Sequence, residues 1–161
     1  MSFADAIPSE DLILARLVCS KLAKVMHGTL SVGMATLESS SPTSFLNNRD
    51  KRPLGFIEVL RSIGVNPGCT AEREMLREAA DQLSELVSRF HSIFLELTRW
   101  QSMSPQNVRE TADRLAEAYA QFCRSLGMFC SQLGIDSAYT DQGVAGREWI
   151  LQCLTTLKAA S

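Results

Sequence analysis

"AEREMLREAADQLSELVSRFHSIFLELTRWQ", residues 71–101, decides the fold. Leu76, Ala79/Ala80, Leu83, Leu86/Val87, Phe90, Ile93/Phe94, Leu97 and Trp100 recur three and four residues apart, the spacing that gathers them on one side of an α-helix. The other side carries Arg73, Arg77, Asp81, Gln82, Glu85, Arg89 and Glu96, as a face left in water should. At a rise of 1.5 Å per residue this stretch makes a rod of about 45 Å.

Downstream, "SPQNVRETADRLAEAYAQFCRSLGMFCSQLG" (104–134) repeats the pattern. Ser104 is a good N-cap and Pro105 suits the first helical position, where its missing N–H costs nothing. Val108, Ala112, Leu115, Tyr119, Phe122, Leu126, Phe129 and Leu133 form the apolar stripe, and Gly134 supplies a stop. So short a connection requires the two rods to fold back antiparallel. Upstream, Ser9, Glu10 and Asp11 precede "LILARLVCSKLAKVM" (12–26). The spacing predicts a helix over 10–26, continuing to Leu37 with weak points at Gly28 and Gly33. Leu14, Val18, Leu22 and Val25 are expected to face inward, with Leu17 beside them. Residues 1–8 read as a tail and 39–53, rich in serine and broken by proline, as a flexible surface loop. A short helix over 54–63, an N-cap at Thr70 and a last helix over 144–160 complete the series. No stretch alternates at period two over a strand's length. The expectation is an all-α single domain over 1–161, a bundle of five or six helices around a long antiparallel hairpin.

Composition narrows function. One domain accommodates 161 residues and buries enough surface to stand without metal or disulfide staples. Lys+Arg 16 against Asp+Glu 18 gives a net charge of -2 with no basic run, which argues against nucleic acid. No apolar run reaches the ~20 residues needed to span a bilayer, and "MSFADAIPSEDL" lacks the charged and apolar regions of a signal peptide. Cys19, Cys69, Cys123, Cys130 and Cys153 are odd in number, scattered and without a C-x-x-C, the usage of a reduced cytoplasmic protein.

The chain offers little catalytic chemistry. His27 is followed by Gly28 and Leu30 where a phosphoacceptor helix needs an acid and a base. His91 has no carboxylate at helical spacing. Glu72/Glu74/Glu78 and Glu110/Asp113/Glu117 sit opposite the apolar stripes near Arg73, Arg77, Arg109 and Arg114, as on a solvated, ion-paired face. No E-x-x-H, G-x-S-x-G, P-loop or G-x-G-x-x-G occurs. Neither a catalytic site, nor a cofactor, nor a metal is expected.

"FIEVLRSIGVNPG" (56–68) has Phe56, Val59/Leu60 and Ile63 at the spacing of a helix that lies in an apolar groove. Its Leu60-Arg61-Ser62-Ile63-Gly64 resembles the Leu-Arg-x-Ile-Gly core of the BH3 motif of apoptosis regulators, which implies a Bcl-2-like regulator. The motif continues with aspartate, whereas Val65 and the helix-breaking Asn66-Pro67 stand here, and the chain has no Asn-Trp-Gly-Arg stretch. The simpler reading is a helix stop, with Gly64 in the left-handed position, Val65 packed back over the last turn and Pro67 forbidding renewal.

The resulting expectation is an intracellular protein–protein interaction module, such as an adaptor, a regulator or a pathogen's host-directed factor. It would bind a partner helix, or a second copy of itself as a homodimer, through an apolar helix-lined groove. The candidate contacts are Phe56, Val59, Leu60, Ile63, Trp100 and Trp149. A carrier of a small molecule or lipid is the alternative, its cavity left by Gly127, Gly134, Ala112, Ala116 and Ala118.

Overall fold

A computed structural model describes residues 3–38, 52–134 and 152 of the chain. Its helices are α1 (Phe3–Ala6), α2 (Ser9–Glu38), α3 (Arg52–Arg61), α4 (Thr70–Leu97) and α5 (Pro105–Gln132), with one 3-10 turn at Trp100–Ser102 between α4 and α5. No strand occurs among the described residues. The protein is an all-α helical bundle.

Three side-chain links run up the outside of the α4–α5 pair. Arg114 donates to Glu96 at 2.9 Å, Arg89 to Gln121 at 3.2 Å and Gln82 to Ser125 at 3.5 Å. Numbers fall along α4 as they rise along α5, so the pair is antiparallel. Between them the stripes interlock. Phe90 meets Phe94 edge-on with centroids 5.6 Å apart, and Tyr119 of α5 at 6.0 Å. Such ring pairs add roughly 0.5–1.5 kcal/mol beyond the area they bury. Helix α3 packs against both α2 and α4, and α2 also packs on α5. There Arg16 donates to the Leu133 carbonyl at 3.3 Å, satisfying one of the orphan acceptors at a helix end.

Local chemistry accounts for both ends of α5. Ser104 caps α5 by accepting from the Asn107 N–H at 3.2 Å, with Pro105 at the first helical position. Gly134 follows α5 at φ +75°, a conformation that costs other residues energy. Helix α2 continues unbroken through Gly28 and Gly33 to Glu38.

Four expectations need correction. Residues 3–8 are no tail, because α1 forms there and Ala6 and Ile7 are buried, with Ala6 O accepting from Asn66 N–H at 2.8 Å. Thr70 is the first residue of α4 rather than its cap; Cys69 occupies that position and makes no capping bond. Arg52 and Pro53 belong to α3, Pro53 buried in its first turn, while 39–51 and the predicted last helix, except Gln152, lie outside the described residues.

Gly64, expected in the left-handed position, does not have positive φ. Its N–H donates to the Asp11 carboxylate at 3.1 Å, so closely that a Cβ would stand 2.7 Å from Asp11 Oδ2. Gly64 is there for the approach of a side chain. The left-handed glycine is Gly68, at φ +90°, in the turn Asn66-Pro67-Gly68-Cys69. That turn is closed by Cys69 N–H donating to Asn66 O at 3.1 Å, and proline then glycine at its centre is the type II pattern. Val65 does pack against the core.

Candidate partner-binding surfaces

The stripe expected to meet a partner is mostly interior. Helix α3 is wedged between α2 and α4, so the residues it buries are Pro53, Ile57 and Leu60, followed by Ile63 just beyond its end. Leu60 is 0% exposed and Ile63 7%, which leaves neither available to a partner unless α3 departs. Phe56, Val59 and Trp100 are half-buried at the margin of the core. Trp149 lies outside the described residues.

Apolar surface stands elsewhere. Along the outside of the hairpin, Met75, Ala79, Met128 and Phe129 line a hollow of about 220 Å³ together with Glu78, Gln82, Ser125 and Gln132. It shares Gln82, Ser125 and Met128 with a neighbouring hollow of about 420 Å³ that runs on to Glu85, Leu86, Arg89, Gln121 and Arg124. Met75 of α4 is 48% exposed and Met128 of α5 is 68% exposed. The groove from Met75 to Arg89 follows α4 for about 21 Å, the length of a four-turn helix. Its rim charges are partly neutralised: Arg89 pairs with Glu85 at 3.5 Å and Arg124 with Glu117 at 3.0 Å.

The second apolar surface is on α2. Ala15, Val18, Cys19, Leu22 and Met26 are buried, while Ile13 is 65%, Leu14 41% and Leu17 53% exposed. The inward assignment holds for Val18 and Leu22 and fails for Leu14 and Leu17. Apolar residues stand on both sides of that stretch of helix, and it is α3 and α5 that select which side is covered.

Ionisable groups with displaced pKa values lie mainly in the core. The Cys19 thiol donates to the Cys130 sulfur; that bond, then burial, holds Cys19 far above the usual thiol range, and the same bond lowers Cys130. Burial pushes Cys123 up to about 11 and raises Tyr119 as well, the two side chains also being hydrogen-bonded to each other. At the surface, Arg61 is held more firmly protonated by its hydrogen bond to Asp81. His91 is buried against the Phe90 ring, 6.0 Å between centroids, and His27 is exposed. Asp113 is exposed, and Glu78, also exposed, stands on the groove wall. Among the described residues no three His, Cys, Asp or Glu side chains gather as a metal site would require, and no helix is long and apolar enough to cross a membrane.

Sequence reasoning missed Met75, Met128, Ile13, Leu14 and Leu17 as surface residues. The signal for Met128 was present: it stands two residues past Leu126 of the α5 stripe, about 200° around the helix, and so on the outer side. No family model matches the chain, and no curated protein or solved structure matches it either.

Proposed function

We propose that this protein is a non-enzymatic interaction module whose α4–α5 groove receives an amphipathic helix of a partner protein. The observation that carries the reading is the pair Met75 and Met128, exposed on opposite walls of one groove a helix could occupy. Methionine is flexible and polarizable, so a surface built on it adapts to an incoming apolar side chain. Gln82, Ser125 and Gln121 along the floor and rim offer hydrogen bonds, while Glu78, Glu85, Arg89 and Arg124 give both signs of charge at the edge. Such an arrangement suits a helix with an apolar stripe and mixed flanks. The displaced thiols and Tyr119 sit in the packed interior rather than in a cleft, which favours binding over catalysis. Free thiols at Cys19, Cys69, Cys123 and Cys130 fit a working environment that is reducing, inside a cell.

The test is a photo-crosslinking amino acid at Met128, with Asp113 as the control position, in the cells that make the protein. The expected result is an adduct from position 128 whose partner peptide is an amphipathic helix, abolished by Met75→Asp and absent from position 113. Adducts indifferent to position, or turnover of a metabolite by the purified chain, would refute the proposal.

A further inference from the structure

We propose that the outward face of α2 is the interface of an antiparallel homodimer. This surface is separate from the α4–α5 groove and stands without it. With about 100° of turn per residue, Glu10, Ile13, Leu14, Leu17, Lys21 and Lys24 fall within one arc of about 100°, opposite the arc that enters the core. All six are exposed. Read from the start of the helix, the face is acidic, then apolar over two turns, then basic. None of the ion pairs among the described residues uses Glu10, Lys21 or Lys24.

That order is self-complementary in one orientation only. A two-fold axis midway between Leu14 and Leu17 sets each Leu14 against the other copy's Leu17, with Ile13 beside the seam. It also sets each Glu10 against the other copy's Lys21, an ion pair closing both ends of the apolar patch. A parallel pairing would oppose Glu10 to Glu10 and Lys21 to Lys21. Two-fold interfaces join one patch to itself, so a face with opposite charges at its two ends is what such an interface requires. The patch is a fraction of the ~800 Å² that each subunit of a standard-size interface buries. An interface so small makes a reversible dimer rather than an obligate one.

Sedimentation equilibrium of the full chain from about 1 µM to about 100 µM brackets the affinity of a small interface. The expected wild-type result is a reversible monomer–dimer equilibrium. Leu17→Asp should give monomer throughout while keeping the wild-type helical circular dichroism, since Leu17 is outside the core. Glu10→Lys and Lys21→Glu should each raise the dissociation constant about tenfold by turning two attractive pairs into two repulsive ones. Combined in one chain they should restore the wild-type value, because the reversed charges still oppose each other antiparallel. Wild-type chain that stays monomeric at the highest concentration would overturn the proposal and leave the patch to another occupant, such as residues beyond Gly134 or a different protein. Dimerisation unmoved by Leu17→Asp, or single and double charge variants that weaken it alike, would overturn it too.

Discussion

Gly64 tests whether a glycine is explained by its dihedral angle or by what comes near it. If the residue were left-handed, Gly64→Ala would cost about 1 kcal/mol whatever stood at position 11. The structure gives a different account. The new methyl carbon would lie 2.7 Å from Asp11 Oδ2, inside contact distance, but the obstacle is the end of a side chain and can swing aside. What is lost is the 3.1 Å hydrogen bond from Gly64 N–H, worth roughly 0.5–1.5 kcal/mol at this solvent-exposed site. Against that, alanine restricts the unfolded chain and returns roughly 0.4–1 kcal/mol. Gly64→Ala in the wild-type protein should therefore cost little, about 0–1 kcal/mol. In an Asp11→Ala background the bond is already gone and the same change should stabilise by about 0.5 kcal/mol. The coupling between the two sites, measured by urea unfolding of the four proteins in the cycle, should be about 1 kcal/mol. A Gly64→Ala cost identical in both backgrounds would refute the carboxylate account.

Other consequences can be measured on the same unfolding curves. Gly28 and Gly55 lie inside helices with open space where a Cβ would go, so Gly28→Ala and Gly55→Ala should each raise stability by about 0.5–1 kcal/mol; a loss at either site would contradict the packing described. Phe90→Ala, which empties the ring cluster with Phe94 and Tyr119, should cost about 3–5 kcal/mol, whereas Leu17→Ala should change stability by less than about 0.5 kcal/mol in the monomer. Because burial pushes Cys123 up to about 11, the native state keeps this proton longer than the unfolded chain does. Stability is accordingly intact below the ordinary thiol value and falls as pH rises through about 11, with Cys123 accounting for about 2–3 kcal/mol; Cys123→Ala should make that fall shallower by this amount and leave the fall due to Cys19 and Tyr119, which are raised as well.

The hairpin was legible because its two rods are polar on one side and apolar on the other. Once Leu76-to-Leu97 and Val108-to-Leu133 share a period, a core between them follows with no further information. Ser104-Pro105 and Gly134 were readable for a related reason, since capping chemistry acts within one turn of the chain. The α3 segment was harder. Phe56, Val59, Leu60 and Ile63 do form a helical stripe, but a ten-residue helix touching two neighbours buries a stripe rotated by one position, onto Ile57, Leu60 and Ile63. Gly64 was misread because its reason lies at Asp11, 53 residues away. A contact at that separation leaves no trace in local pattern, whereas the turn at Asn66–Cys69 could have been found from Pro67-Gly68 alone.

Helix α2 joins the failure of sequence reading to the candidate site. Its run from Leu12 to Leu22 supplies apolar residues to both sides of the cylinder, so the period that identifies α4 and α5 is blurred there. A helix with a single partner face gains nothing from Ile13, Leu14 and Leu17 turned to water, and substituting polar residues would leave its core side intact. Exposed singly, such residues are ordinary; three within five positions, bounded by Glu10 and by Lys21 with Lys24, form a patch with its own charged edges. The blurred period is then the expected signature of a helix that meets two things, the bundle on one side and a second chain on the other. If chains carrying Leu17→Asp prove as self-associated as the wild type, the double-faced composition of α2 has no such meaning, and its outer leucines are merely tolerated.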